Sequence, residues 1–462
     1  MKYTALTLLV ASLTLTGCMN LAPAYTQPAA PVPDAVSVDA ATDPVQATAP
    51  ALQQVLALAL SHNRDLKIAW ANIEKARAQY GVQRADQLPT VAASGQASRS
   101  QSSAALNASG QSAIGSQWGA QIGFTSYEID FWGRVRNLNE AALQQFWQTT
   151  VNQRSVEITL LADVANAWLT LAANQARLQL AQDTLTARRK AFELTQRTHA
   201  LGATSGLVLA QNQTTVDSAR ADVASFASQV QQSRNALQLL VGTALPAELL
   251  APPLDSAMVP AAALLDVPTP LPSSRLLARP DIQAAEHGLR AATANIGAAR
   301  AALFPSISLT AAAGSASRDL SGLWEGGNSV WSFAPQIRLP IFDGGRNQAN
   351  IRIAEANQQL ALAQYEKTVQ IAFREVADAL AERSHWTERL DAQTSLVAAT
   401  QKALTLSEAR FQSGVDNYLS VLDAQRSLYA AQQTHITLRL AEQANRITLY
   451  KVLGGSRSGS GT

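Results

Sequence analysis

A short stretch near the end of this 462-residue chain places apolar side chains and a carboxylate at helical spacing. Val415, Leu419 and Asp423 stand at i, i+4 and i+8, so in a helix they project from one face. If three copies turned that face inward, the leucines would form an apolar constriction and the aspartates a carboxylate ring. Such rings bind cations, whereas apolar rings hold a gate shut by excluding water. The spacing predicts a gate; the alternative makes Leu419 a packing residue and Asp423 a solvated partner of Arg426 at i+3.

Other residue types that perform chemistry are not arranged for it. The five histidines show no paired spacing on a common helix face, so neither a metal site nor a catalytic triad is predicted. Gly344-Gly345 lacks the rest of a phosphate loop and fits a strand-to-helix turn. Lys plus Arg (36) nearly cancels Asp plus Glu (34), which leaves no basic surplus for nucleic acid. The sequence therefore predicts no enzyme, no cofactor and no nucleic-acid partner.

The single cysteine, Cys18, closes an N-terminal segment with a secretory pattern. A positive start and an apolar run precede small residues at Thr16-Gly17-Cys18. This ending resembles the lipobox of bacterial lipoproteins, whose cysteine is acylated after cleavage; an ordinary signal peptide with a chance cysteine is the alternative. We predict a signal peptide at 1–17 and a lipid-anchored extended segment at 18–50, with acylation (palmitate) on Cys18. Met19 rather than Asp follows the cysteine, which favours the outer membrane.

The second half of the chain repeats the first. Leu88-Pro89 corresponds to Phe304-Pro305 at an offset of 216, and Leu201-Gly202 to Ser413-Gly414 at an offset of 212. A repeat of this length indicates that the architecture is built from two copies of one unit, so it is interpreted before any local motif. The expected divisions are a first repeat at 51–242, an inter-repeat strap at 243–274, a second repeat at 275–455 and a disordered tail at 456–462.

Each repeat contains a long run without proline in which apolar residues follow helical spacing. The runs extend from 135 to about 198 and from 346 to about 412, and each would form a rod of roughly 100 Å. Gly202 and Gly414 interrupt the rods, and alanine-rich faces suit coiled-coil packing. We expect helical hairpins at 133–242 and 345–454. A soluble coiled-coil scaffold is the alternative.

Other segments alternate apolar and polar residues, as Trp118, Ala120 and Ile122 do with Gln117 and Gln121. In an outer-membrane barrel the apolar face meets lipid and the polar face lines water, whereas in a soluble sandwich the apolar face is the core. No run of about 20 apolar residues follows the signal, so no membrane-spanning helix is expected. The expected strands lie at about 89–99, 117–131, 305–315 and 330–343.

Four strands per chain cannot enclose a pore, and open strand edges are not tolerated in lipid. The chain is therefore predicted to complete a barrel with copies of itself. Three copies give a homotrimeric barrel of twelve strands. The predicted fold class is a mixed α and β membrane protein built by internal duplication.

The run from Gly414 to Arg426, GVDNYLSVLDAQR, and the segment from Leu339 to Arg346, LPIFDGGR, strongly resemble the TolC/OprM-like outer-membrane efflux channels. The resemblance covers nearly all of the mature chain. The family that it indicates includes the outer-membrane lipoproteins of RND efflux systems. It implies a twelve-stranded barrel in the outer membrane that continues into a periplasmic α-helical coiled-coil barrel. The resemblance also places the family's constriction at Val415, Leu419 and Asp423.

The resemblance implies a passive exit duct for drugs and other toxic solutes in a tripartite system. Its expected partners are a periplasmic adaptor protein and an inner-membrane pump of the RND class, together with outer-membrane lipid. Arg410 and Arg426 are latch candidates for bonds between hairpins, although Phe411 replaces a tyrosine that is frequent in relatives. An outer component of type I protein secretion and a non-conducting periplasmic scaffold lipoprotein stay open as alternatives.

Overall fold

The computed structural model describes residues 19–32, 35–36, 49–106, 110–254 and 271–455. The predictions for the signal peptide, Cys18 and the tail at 456–462 lie outside these residues, as does the middle of the inter-repeat strap. The chain contains two compact units, and each takes segments from both repeats. The strand unit comprises Met1–Ala29, Asn72–Thr150 and Ala284–Glu366, and the helical unit comprises Ala30–Ala71, Val151–Gln283 and Lys367–Thr462.

Long helices dominate the described chain, and four strands interrupt them. The helices are α1 (Pro50–His62), α2 (Arg64–Ala85), α3 (Arg134–Ala200), α4 (Gly206–Val241), α5 (Pro280–Ala301), α6 (Arg346–Ser384), α7 (Trp386–Gln412) and α8 (Tyr418–Val452). The strands are β1 (Val91–Ser102), β2 (Ala113–Ile129), β3 (Ser306–Ser317) and β4 (Ser329–Arg338). A two-residue bridge also joins Ala35–Val36 to Leu271–Pro272.

The strand unit carries one antiparallel sheet of order β1-β2-β3-β4. The repeats meet where β2 pairs with β3, with Ile129 opposite Ile307, and a bulge between Phe124 and Tyr127 interrupts that pairing. β1 and β4 form the edges, and every one of their side chains is exposed. The sheet thus has two open edges.

Three strand ends lie at positions other than those expected from the sequence. β2 begins at Ala113, four residues earlier than expected, because its pairing with β1 continues to Ser102. For the same reason β1 extends past its expected end at 99. β4 ends at Arg338 rather than at 343, because Arg338 lies opposite Ser306, the first residue of β3. Among the described residues, no strand pairs with those that follow Arg338.

The helical unit has its core where α1, α3 and α4 pack together. Trp168 of α3 is 1% exposed, and its indole N–H donates to the carbonyl of Leu249 at 3.1 Å. Burying one large apolar side chain contributes about 1.5–3 kcal/mol, so this cluster anchors the helices firmly. Other members of the cluster are Leu52, Val55, Val164, Leu169, Leu171, Leu237, Val241 and Ile447.

The second rod is not the continuous helix that the sequence suggested, because it breaks between α6 and α7. His385 has φ −105° and ψ −2°, and its N–H donates to the carbonyl of Glu382, three residues back. This tighter turn precedes Trp386, which is buried beneath the guanidinium of Arg389, 4.4 Å from the ring centroid. At the equivalent place in the first repeat, Asn174 replaces the tryptophan and α3 continues without interruption.

One described helix meets a length and composition criterion for a membrane span that the sequence analysis did not anticipate. α3 contains a window long and apolar enough to cross a membrane by length and composition alone. More than half of that window, 56%, is buried inside the structure, as in the core helix of a soluble protein. The apolar side chains of α3 supply the core around Trp168, which accounts for the hydropathy of the window.

Candidate gate at the hairpin tips

Both helical hairpins end in the same backbone turn. Gly202 (φ 75°) and Gly414 (φ 72°) adopt the left-handed conformation that glycine tolerates best. After Gly414, the N–H of Val415 donates to the carbonyl of Arg410 at 3.0 Å, and the matching bond 212 residues earlier measures 2.9 Å. This pattern satisfies carbonyls at the end of a helix and reverses the chain. The duplication therefore extends to the details of each tip.

Each turn is followed by a capped helix. The hydroxyl of Ser205 accepts the N–H of Val208 at 3.4 Å, and the amide oxygen of Asn417 accepts the N–H of Ser420 at 3.4 Å. Ser and Asn are favoured at this position because their side chains accept an otherwise unpaired N–H. These caps fix where α4 and α8 begin.

The second tip is closed by an ion pair that we call the tip clasp. Arg410 Nε lies 2.6 Å from Asp416 Oδ2, and Arg410 Nη2 lies 2.9 Å from Asp416 Oδ1. Two parallel bonds of this kind are geometrically specific as well as strong. The hydrogen bond from Arg410 lowers the pKa of Asp416, and the same contact raises the pKa of Arg410. At the equivalent positions of the first tip, Thr204 donates its hydroxyl to Thr198 Oγ1 at 2.9 Å.

The three predicted gate residues are all exposed in this chain. Leu419 is 48% exposed and the side chain of Asp423 is 65% exposed, whereas the intervening Val421 and Leu422 are buried. In this tip Val421 and Leu422 are therefore the packing residues, whereas Leu419 is not. Val415 is 63% exposed but lies in the turn before α8, so the helical spacing relates only Leu419 and Asp423.

Within this chain, the latch candidates Arg410 and Arg426 contact residues of their own hairpin, and their role in bonds between hairpins stays a prediction. Both bonds of Arg410 stay inside its own tip, at Asp416. Arg426 lies beside Asp423 in its own helix, with Nη1 3.9 Å from Oδ1 and both side chains about two-thirds exposed. Exposed pairs of this kind contribute about 0–1 kcal/mol.

A hydrogen bond from Tyr418, the first residue of α8, joins the two tips within this chain. Its hydroxyl donates to Asn212 Oδ1 in α4 at 2.6 Å, and Asn212 is only 1% exposed. Asn212 Nδ2 in turn donates to the carbonyl of Val208 at 3.0 Å. Burial raises the pKa of Tyr418, so the hydroxyl keeps its proton. The ring of Phe411 lies 5.2 Å from the ring of Tyr418, in an edge-on arrangement.

A second contact joins α8 to the first hairpin farther from the tip. Arg188 donates from Nη1 to the carbonyl of Thr215 at 2.9 Å, and its guanidinium lies 5.5 Å from the ring centroid of Tyr429. Tyr429 donates its hydroxyl to Asp222 Oδ2 at 3.2 Å. Burial lowers the pKa of Arg188 and raises that of Tyr429. Sequence reasoning did not find these contacts. Tyr418 and Tyr429 pair with Asn212 and Asp222 across 206 and 207 positions, and nothing near either partner in the sequence signals the pairing.

The chain matches a family model described as outer membrane efflux protein over residues 55–243 and 271–455. A probable efflux pump outer membrane protein of Pseudomonas putida, TtgC, is 43% identical over 469 residues, covering 98% of this chain and 96% of the relative. A crystal structure of a membrane protein from Pseudomonas aeruginosa superposes with a TM-score of 0.88 at 39% identity, covering 95% of this chain and 99% of that one. The open state of the MtrE outer membrane channel of Neisseria gonorrhoeae superposes with a TM-score of 0.80 at 35% identity, covering 94% and 98%.

Proposed function

The chain belongs to the outer membrane efflux protein family, and from that premise we propose that it is a passive exit duct whose gate lies at the second hairpin tip. It is an outer membrane component of an efflux pump, in a family of channels rather than enzymes. The substances it conducts are drugs and other toxic small molecules. Energy comes from an inner-membrane pump of the RND class, which delivers them through a periplasmic adaptor.

The open sheet supports a duct made of three chains. Four antiparallel strands with two exposed edges do not close on themselves, and unpaired strand edges are not tolerated in lipid. Closure by three copies gives twelve strands, an even number in keeping with bacterial outer-membrane barrels. A homotrimer would thus remove both edges.

One observation supports the proposed gate most directly. Leu419 and Asp423 are exposed on α8 while Val421 and Leu422, between them, hold the helix by burial. Around a threefold axis, three Leu419 side chains form an apolar ring that excludes water, and three Asp423 carboxylates form a ring that attracts cations. Val415 stands at the entrance, in the turn itself. The tip clasp and the bond from Tyr418 to Asn212 keep this tip in place; Arg426 contributes charge beside the carboxylate ring.

The N-terminal segment supports a lipid anchor. The backbone N–H of Met19 donates to the carbonyl of Phe131 at 3.1 Å, just after the end of β2. Asn137 Nδ2 donates to Asn20 Oδ1 at 2.9 Å in the same unit. The residue that follows Cys18 is thereby fixed beside the base of the sheet. Acyl chains on Cys18 would enter the membrane there, with each buried CH₂ contributing about 0.8 kcal/mol.

The test is the accumulation of a fluorescent dye in cells that lack this chain. We expect the deletion strain to accumulate the dye, and wild-type chain to restore export. Leu207→Ala, at the matching place in the first tip, is the control and restores export as well. Unchanged accumulation in the deletion strain would contradict an efflux role; loss of a secreted protein would then favour type I secretion, and loss of neither a non-conducting scaffold.

A further inference from the structure

One face of the four-stranded sheet is apolar. Residues directly opposite each other in paired strands project from the same face, and the pairing joins Val91, Phe124, Ala311 and Phe333 in one row across all four strands. Because successive residues of a strand alternate between faces, every second residue along each strand belongs to the same surface. Further members are Ala93, Ala97, Trp118, Ala120, Ile122, Ala313, Trp331 and Ile337. In an outer-membrane barrel a face of this composition meets lipid.

A single arginine interrupts this apolar face. Arg99 is the one charged residue that the four described strands place on it. It lies opposite Ser116 and two residues beyond Ala97, which lies opposite Trp118. Arg99 is exposed, and it forms no hydrogen bond or ion pair with another described residue. The guanidinium is therefore available to a ligand from outside the chain.

The path of the chain places Arg99 toward the end of the sheet that is far from the helices. α2 leads into β1 at Val91, and α3 follows β2 after Ile129, so both helices join the sheet at one end. Arg99 lies eight residues beyond Val91, which is roughly 26 Å along the strand and roughly 20 Å in height at a tilt of about 40°. The lipid-facing band of such a barrel is about 25 Å tall. Arg99 is therefore near the outer margin of the band, on the side away from the periplasm.

The outer margin is a level at which a lipid-facing arginine is tolerated. The free-energy cost of such a residue is large at the midplane of the membrane and nearly disappears close to the interfaces. At the margin, Arg99 can lay its alkyl stem along the apolar surface and extend its guanidinium to the lipid headgroups. Trp118 marks the same level, because tryptophan rings concentrate at membrane–water interfaces. The charge of Arg99 thus lies at the depth of the lipid phosphates.

We propose that Arg99, together with Ser116 and Trp118, binds a phosphate group of a phosphorylated glycolipid in the outer leaflet of the membrane. The guanidinium can donate two parallel bonds to a phosphate, which gives geometric specificity as well as strength. The hydroxyl of Ser116 and the indole N–H of Trp118 are further donors on the same face. The site rests on the proposed duct, because it requires that the apolar face meets lipid. The other charged residues at this end lie in the loop between β3 and β4, and they are Arg318, Asp319 and Glu325.

Titration of purified full-length protein with lipid A in detergent, followed by native mass spectrometry, tests the site. We expect Arg99→Gln to weaken lipid A binding by roughly tenfold or more, because it removes the charge-assisted bonds to phosphate. Arg99→Lys keeps the charge but loses the fork, so its affinity should fall between those of wild type and Arg99→Gln. Arg338→Gln is the matched control. It removes the same charge at the other end of the sheet, where Arg338 lies opposite Ser306 on the polar face, and it should bind lipid A as wild type does.

Wild-type affinity in Arg99→Gln, or an equal loss in Arg338→Gln, would overturn the site. Displacement of lipid A by millimolar inorganic phosphate would show that Arg99 binds free anions, and would overturn the assignment to a lipid. Conductance in planar bilayers separates this inference from the proposed function. Arg99→Gln that loses lipid A but conducts as wild type supports the site. If wild-type protein does not conduct while its lipid A binding still depends on Arg99, the duct is overturned and the site stands.

Discussion

The hydroxyl of Tyr418 donates to the amide oxygen of Asn212 across 2.6 Å and so joins the first residue of α8 to α4 of the other hairpin. The acceptor is almost fully buried, with 1% of its surface exposed. If a buried acceptor loses its hydrogen-bond donor, the free-energy cost of removing that acceptor from water is no longer offset. This contact therefore holds the gate helix to the first hairpin more firmly than the exposed ion pairs of the tips.

Replacing Tyr418 by Phe should loosen the start of α8. The ring still packs against Phe411, but Asn212 loses its donor, at a cost of about 1–3 kcal/mol. We expect backbone amides of the first turns of α8 to exchange hydrogen roughly tenfold faster or more. Tyr80→Phe, in the strand unit, is the matched control and should leave exchange in α8 unchanged. Equal exchange in both variants would show that the hydroxyl does not hold the helix.

The tip clasp should make the second tip sensitive to acid. Arg410 lowers the pKa of Asp416 in the folded chain. A lowered folded pKa means that the clasp stabilises the tip above the ordinary carboxyl pKa, about 3.9, and that this contribution disappears as the pH falls through the folded pKa. A spin label on Ser413→Cys should therefore become more mobile below about pH 4.

The first tip serves as the control for that titration. Its equivalent contact joins two threonine hydroxyls, Thr204 and Thr198, which do not titrate in this range. A spin label on Leu201→Cys should show constant mobility, and Asp416→Asn should abolish the pH dependence at 413. A transition of equal size at both tips would show that acid acts elsewhere.

Substitution by alanine should destabilise the fold to different extents at three glycines that end helices. Gly202 and Gly414 have nothing near an added Cβ, so alanine costs only the left-handed backbone, about 1–2 kcal/mol each. At Gly242, φ 79°, an added Cβ would lie 2.6 Å from the carbonyl oxygen of His62. Gly242→Ala should therefore lower the Tm clearly more than either tip variant does. Equal shifts in thermal unfolding would contradict the contact with His62.

Much of the architecture was predictable because the duplication is preserved in the residues that set local geometry. Gly202 and Gly414 mark both tips, and Leu88-Pro89 and Phe304-Pro305 mark both passages from helix to strand. These features depend on neighbours within a few positions. The spacing of apolar residues likewise predicted four strands and two long helical hairpins. Apolar residues alternate along a strand but recur at three- and four-residue steps along a helix, so the period distinguishes the two.

Other features depend on contacts that spacing does not encode. Tyr418 meets Asn212 across 206 positions, and nothing in either residue's neighbourhood signals the other. The break before Trp386 follows from burying a large ring, and the bulge at Ser126 follows from registering β2 against β3. Tertiary packing decided each of these cases.

The measurement that tests the central claim most directly is single-channel conductance of purified full-length protein in planar bilayers. Wild type should show a small resting conductance, and Leu419→Ala and Asp423→Ala should each raise it severalfold, because they widen or discharge the ring that closes the duct. Leu207→Ala, the same substitution at the matching place of the first tip, should behave as wild type. Equal conductance in all four proteins would refute the gate, and absence of conductance in all four would refute the duct.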